Sequence, residues 1–257
     1  MSISGIFGQS LYRSYQSLAS GKQINSAADN AAGLAIAEKL ESQSNGYDVG
    51  GRNAATSQDM LKVAEGALGS ITDNLQRMRE LSIQASNDLY TSADKGAIQK
   101  EIDQLKQAIS DTATQTQFNT KNLLDGTMGA SNVATDANGS SLQVEMPNAT
   151  LQTLGIEDYD VTGSFDISVI DKALEKVNSA RSELGASSNR LDSVIAYNSL
   201  VSYNTTASQS RIEDLDYAKA VSEMKKNELF STVSIMMQRK KIENENGRVL
   251  QMFQRGH

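Results

Sequence analysis

Between Ile170 and Leu215, apolar and small side chains recur at alternating intervals of three and four. The series is Ile170, Ala173, Val177, Ala180, Leu184, Ser187, Leu191, Val194, Asn198, Val201, Thr205, Ser208, Ile212 and Leu215, and none of them is charged. A 3.5-residue period lays one narrow stripe along a long helix and asks for partner helices. At about 1.5 Å per residue the stretch predicts a helix roughly 69 Å long, opened by a capping box at Ser168 and Asp171. Leu184, Leu191, Val194, Ile212 and Leu215 are its expected self-assembly seam.

The same period returns at Leu61, Ala64, Leu68, Ile71, Leu75, Met78, Ser82 and Ala85. After a turn near Asn87 it appears again at Ile98, Ile102, Leu105, Ile109 and Thr112, behind a Thr91–Asp94 capping box. Ser26 and Asp29 predict a further capped start, running through Ala31, Leu34 and Leu40. Gly46, Gly50 and Gly51 then cost helix propensity and predict a weak or bent stretch. Ile3, Ile6, Phe7, Leu11, Tyr15 and Leu18 form a loose stripe too weak to hold a helix without a partner. From Ala218 to Phe253, Val221, Met224, Leu229, Val233, Met236, Met237, Ile242, Val249, Met252 and Phe253 predict a separate last helix, in a different heptad phase.

From Gln115 to Gly163 the pattern changes. Five glycines and Pro147 interrupt any helix, and Ser141–Met146 alternates apolar with polar side chains, as a hairpin strand does. The expected fold is therefore mainly α. It is a long antiparallel helical bundle or coiled coil formed by N- and C-terminal arms, with a small β-hairpin region in the middle. Its divisions are 1–25 with 218–257 (terminal helices), 26–114 with 168–217 (helical rod), and 115–167 (β-rich excursion).

Composition narrows the class. Only 39% of residues are apolar and 5% aromatic, which suits thin helical seams better than a thick interior. Cysteine is absent, which excludes disulfides and thiolate metal sites. No apolar run is long enough to span a bilayer, so no membrane insertion is expected. No cleavable signal peptide is visible at Met1–Gln9, so any secretion would use another route. Residues 220–257 hold seven Lys/Arg against four Asp/Glu, whereas residues 46–219 hold 14 against 24. That acidic middle argues against a nucleic-acid partner. The basic knot Arg239–Lys240–Lys241 reads as a solvated helix face beside Glu243 and Glu245.

Catalytic chemistry finds no constellation. The single histidine is His257, which excludes histidine triads and HExxH zinc sites, and Gly50–Gly51 lacks a phosphate-loop continuation. Glu213, Asp214 and Asp216 spread over different helix faces, where pairing with Arg211 and Lys219 is expected. Met236 and Met237 read as adaptable packing. No enzyme activity, cofactor or metal is expected.

Five segments resemble bacterial flagellins: SGKQINSAADNAAGLAIA (residues 20–37), AEGALGSITDNLQRMRELSIQASN (64–87), TQTQFNTKNLLDG (114–126), ARSELGASSNRLDSVI (180–195) and SRIEDLDYAKAVSEM (210–224). They occur in the family's order and cover most of both arms. The resemblance implies an extracellular, self-assembling filament subunit for motility, whose chain ends pair as the innermost layer. It implies export unfolded through the flagellar export apparatus. It also implies a C-terminal export chaperone, and filament cap and junction proteins, as partners. A further implied partner is host Toll-like receptor 5, which reads the family's LQRxRELxxQ motif, here LQRMRELSIQ at 75–84. The implied receptor-contacting residues are Arg77, Leu81 and Glu101, with Gln76 and Gln84 alongside. Two departures touch the innermost layer: a short segment before SGKQINSA, and a charged RKKIENEN stretch near the C-terminus. They keep open a non-filament flagellin paralogue or a hook–filament junction protein. A cytoplasmic helical signalling hairpin fits less well, because a β-like excursion occupies the tip.

Overall fold

The structure, a computed structural model, describes residues 3–254. His257 lies outside the described residues, and the side chains of Ile3, Ile6, Phe7, Val249, Met252 and Phe253 are likewise not described. The elements in order are α1 (Ile3–Ser20), α2 (Ala27–Ala85), α3 (Ser92–Gln115), β1 (Gln117–Phe118), β2 (Lys121–Asn122), β3 (Ala130–Ala134), β4 (Ser141–Glu145), α4 (Leu151–Leu154), α5 (Ser168–Glu213) and α6 (Tyr217–Gln254). The chain divides into two compact units, residues 44–202 and residues 1–43 with 203–257.

Unit 44–202 owes its stability to a dry seam. Leu61, Leu68, Ile71, Leu75 and Met78 of α2 are almost completely buried, as are Ile102 and Ile109 of α3 and Ile170, Leu184 and Leu191 of α5. Within each helix they lie three, four or a multiple of seven residues apart, so each helix turns one apolar stripe inward. None of the fourteen seam positions predicted between Ile170 and Leu215 is fully exposed. Leu123, Leu124, Val144, Ile156 and Val161 extend the same core into the region between α3 and α5. There β1 pairs with β2, and β3 pairs antiparallel with β4 from Ala130↔Glu145 to Ala134↔Ser141.

The predicted helix starts are realised differently from one another. Thr91 forms the full capping box with Asp94, each side chain meeting the other residue's backbone N–H. At α5 the cap is Asp166, not Ser168: its carboxylate accepts from the Ser168 N–H at 2.9 Å, and Ser168 is already helical. At α2, Asp29 accepts from the Ser26 N–H, but the helical path breaks at Asn30 (φ −161°, ψ 94°). The Asn30 Oδ1 then accepts from the Gly33 N–H at 2.9 Å, so Asn30 caps the helix proper.

The expected weak stretch at Gly46–Gly51 is a continuous helix. The reason is tertiary, because the β3–β4 turn seats there. A Cβ on Gly46 would come within 2.5 Å of the Ala137 Cβ, and one on Gly50 within 2.6 Å of the Thr135 carbonyl carbon. Asn198 of α5, 2% exposed, donates from Nδ2 to the Thr135 carbonyl at 2.6 Å. Asn53 donates to the Ala134 carbonyl at 3.2 Å. The two glycines thus form a notch for a backbone strap, and the strap's carbonyls are satisfied by carboxamides from both helices.

Candidate functional site

Two surfaces concern the functional expectations. The first lies on α2 and α3. Arg77, half-exposed, donates from Nε and from one terminal guanidinium nitrogen to Glu101 Oε1 at 3.0 and 2.8 Å, and from the other to Glu80 at 3.1 Å. The two carboxylates raise the Arg77 pKa, Glu101 more than Glu80, so the guanidinium is a fixed positive charge. Gln76 is exposed, and Gln84 donates to the Tyr90 hydroxyl at 2.9 Å. The structure therefore brings Arg77 and Glu101 together as a fork, with Gln76 on the same exposed stretch.

Leu81 does not join them. It is 2% exposed and belongs to the unit's core, so it is not an apolar anchor presented to a partner. Its position explains this, since it follows Met78 by three residues and shares the inward side of α2. The self-assembly seam needs a similar correction. Leu184 and Leu191 are buried within one copy of the chain, and Val194 packs against the same core. Ile212 and Leu215 are half-buried in the other unit. This seam holds the subunit together and offers Leu184 and Leu191 to no second copy.

The second surface lies in unit 1–43 with 203–257, where both chain arms leave the helical path and pair. Leu215 donates its N–H to the Gly21 carbonyl at 2.9 Å, and Gln23 donates its own to the Glu213 carbonyl at 2.7 Å. Lys22 and Asp214 thus face each other across a short antiparallel bridge. The bridge requires Gly21 to adopt φ +72°, which a side chain would resist. The Lys22 ammonium meets the carboxylate of Glu213, which is 6% exposed and also accepts from Gln209 at 3.1 Å. The hydrogen bond from Lys22 holds the Glu213 pKa below its ordinary value, outweighing the desolvation that would raise it. The same bond raises the Lys22 pKa. Glu213, Asp214 and Asp216 therefore do not pair with Arg211 and Lys219 as expected. Asp214 accepts from the Ser210 hydroxyl, and Asp216 from the backbone N–H of Lys219.

This bridge sets α1 and α6 side by side and antiparallel, with the Tyr217 hydroxyl donating to the Leu18 carbonyl at 2.6 Å. Half-buried positions recur at Leu11, Ser14, Ser17 and Leu18 of α1 and at Ala220, Met224, Asn227, Ser231 and Ser234 of α6. Among the described residues this seam mixes serines and an asparagine with Leu11, Leu18, Ala220 and Met224. Elsewhere on α6, Leu229, Val233, Met236 and Met237 are 64%, 41%, 63% and 70% exposed, and Ile235 and Ile242 are also exposed. Tyr12 and Tyr15 of α1 are exposed as well. Met236 and Met237, read as adaptable packing, are among the most exposed apolar residues of α6. Sequence periodicity does not separate these positions from a core stripe, because exposed and buried apolar residues recur at the same helical spacing.

Among the described residues no group of three or more His, Asp or Glu side chains could hold a metal ion. No described helix is long and apolar enough to cross a membrane.

Comparison with known proteins follows the same outline. Residues 8–128 match the bacterial flagellin N-terminal helical region, and residues 167–252 the bacterial flagellin C-terminal helical region. A flagellin of Halalkalibacterium halodurans is 36% identical over 232 residues, covering 88% of this chain and 85% of its own length. A Bacillus subtilis flagellin is 36% identical over 265 residues, covering 88% and 87%. The crystal structure of Bacillus cereus flagellin superposes with a TM-score of 0.51 at 29% identity, over 57% of this chain and 88% of that one. A putative flagellar hook-associated protein from Vibrio parahaemolyticus, at 17% identity and a TM-score of 0.61, shares the fold. With both helical arms matched in order across most of its length, the chain belongs to the bacterial flagellin family, a family of structural proteins.

Proposed function

We propose that this chain is a self-assembling subunit of the extracellular flagellar filament, serving motility. The observation that carries the reading is the α1–α6 pair, whose α6 leaves Leu229, Met236, Met237 and Ile242 exposed. Exposed apolar area of this extent is stabilised by covering, and at roughly 25 cal/mol per Å² a repeated head-to-tail contact between copies supplies the drive to polymerise. Export unfolded through the flagellar export apparatus fits helices whose stability depends on partners met after transit. A C-terminal export chaperone would shield α6 until then, and cap and junction proteins would meet the same face at the polymer's ends. Negative-stain microscopy under polymerising salt tests the reading: the parent protein forms filaments, and Leu229→Ser with Met236→Ser does not. Persistent monomers of the parent would favour a junction protein or non-filament paralogue.

The exposed Arg77–Glu101 fork, with Gln76 and Gln84, is proposed as the ligand surface for Toll-like receptor 5. It offers charge-assisted hydrogen bonds from a rigid helical base, and buried Leu81 contributes by holding that base in place. In a receptor-reporter titration Arg77→Ala loses potency while its melting curve matches the parent's. Equal potency for the two proteins would remove this surface from the proposal.

A further inference from the structure

The sequence contains three Asn–Gly pairs, Asn45–Gly46, Asn138–Gly139 and Asn246–Gly247, and the fold treats them differently. Asn45 lies within α2 and Asn246 within α6. In a helix the following backbone N–H is committed to the carbonyl four residues back, and the fixed backbone holds the asparagine carboxamide away from it. Asn138 lies instead in the turn between β3 and β4, and is exposed. Gly139 there has φ +83°, and its N–H reaches the Asp136 carbonyl only at 3.3 Å. The Asn138 carboxamide makes no hydrogen bond to any described residue, its backbone N–H alone being held, by Asp136 at 2.8 Å.

From this geometry we infer that Asn138 is a site of spontaneous self-modification, an intramolecular deamidation that the fold permits at this pair and suppresses at the other two. The Gly139 backbone nitrogen gives its proton to solvent base and bonds to the side-chain carbonyl carbon of Asn138. Ammonia leaves, and a five-membered imide closes. Water then adds to one of the two imide carbonyls and breaks one carbon–nitrogen bond. The product at position 138 is either aspartate or isoaspartate, in which the main chain runs through the former side-chain carboxyl. Water is the only co-reactant and ammonia the only leaving group.

The consequence is mechanical, because this turn is the strap seated in the α2 notch. Ala137 lies over Gly46, and the Thr135 carbonyl lies over Gly50 and accepts from Asn198. An isoaspartate adds one methylene to the main chain beside Ala137. Either product adds a carboxylate beside Asp136, whose own carboxylate already accepts from the Asn138 and Ser140 N–H groups. The Ser140 side chain, then the backbone N–H groups of Ser140 and Asn138, lower the Asp136 pKa, so the new charge meets a standing one. The modification therefore loosens the strap and uncovers Gly46.

The test is to age the full chain at mildly alkaline pH, with and without denaturant, and to map peptides by mass spectrometry with isoaspartate detection. In the folded protein the expected order is Asn138, then Asn246 on its exposed helix, then Asn45. Asn138 should convert at least about tenfold faster than Asn45, which reacts only after local opening. In denaturant the three rates should converge. Equal folded rates at Asn138 and Asn45, or an Asn138 that converts only in denaturant, would overturn the inference. Aged parent should also be cut at 135–140 by a protease faster than fresh parent, whereas aged Asn138→Gln should match its fresh sample. Equal nicking of aged and fresh parent after confirmed conversion would overturn the mechanical consequence.

Discussion

The two units of this chain use similar helical periodicities to opposite ends. In residues 44–202 the apolar stripes of α2, α3 and α5 meet one another, and their leucines and isoleucines are closed off within one copy. In residues 1–43 with 203–257 the described seam of α1 and α6 holds serines and Asn227 beside Leu11, Leu18, Ala220 and Met224, while Leu229, Met236 and Met237 of α6 are exposed. The difference teaches that apolar spacing reports helix phase but not who the partner is. A stripe that ends up buried and a stripe that ends up exposed are written alike.

The sharpest break of this comparison is a pair of identical truncations. Leu191→Ala should lower the stability of the subunit by about 2–5 kcal/mol, because a completely buried leucine leaves a cavity. Leu229→Ala should change subunit stability by less than about 0.5 kcal/mol, as a surface substitution does. Thermal melting of the monomer distinguishes them, and comparable losses would mean that α6 has a covered face within one copy. Next in size is Gly50→Ala, expected to cost about 1–3 kcal/mol by forcing the strap from its notch. An unchanged melting curve would show that the strap is not seated on α2.

The pH response should separate the units more gently. The Glu213 pKa is depressed in the folded chain, so its contribution is full above the ordinary carboxylate pKa and is lost as pH falls through the depressed value. The Lys22 pKa is raised, so its contribution is full below the ordinary lysine value and is lost as pH rises through the raised one. The Gly21–Leu215 bridge should thus be firmest between these limits. Glu213→Gln should flatten the acid limb of bridge opening, followed by amide exchange at Gln23 and Leu215. An unaltered acid limb would place the titration elsewhere.

How much of this was legible in the sequence depends on the range of the cause. The α5 stripe was readable because a helix face is set by neighbours three and four residues away, and its bounds follow from local capping. Gly46 and Gly50 predict weakness because helix propensity counts only the local cost of a glycine. Their use is contact with Ala137 and Thr135, 91 and 85 residues onward. The proposed receptor surface is only partly legible. That Arg77 and Glu101 pair with each other, through a contact 24 residues apart in sequence, is set by the packing of α2 on α3 and not by the motif. Leu81 was carried into that surface by motif alone, although its own spacing from Met78 already placed it inside.

Asn30 has one more effect. Because its side chain restarts α2, the turn at 27–29 belongs to the approach segment rather than to the helix that follows. Solvent deuterium should enter that turn without waiting for the long helix to open, and retention should rise abruptly a few residues past Gly33.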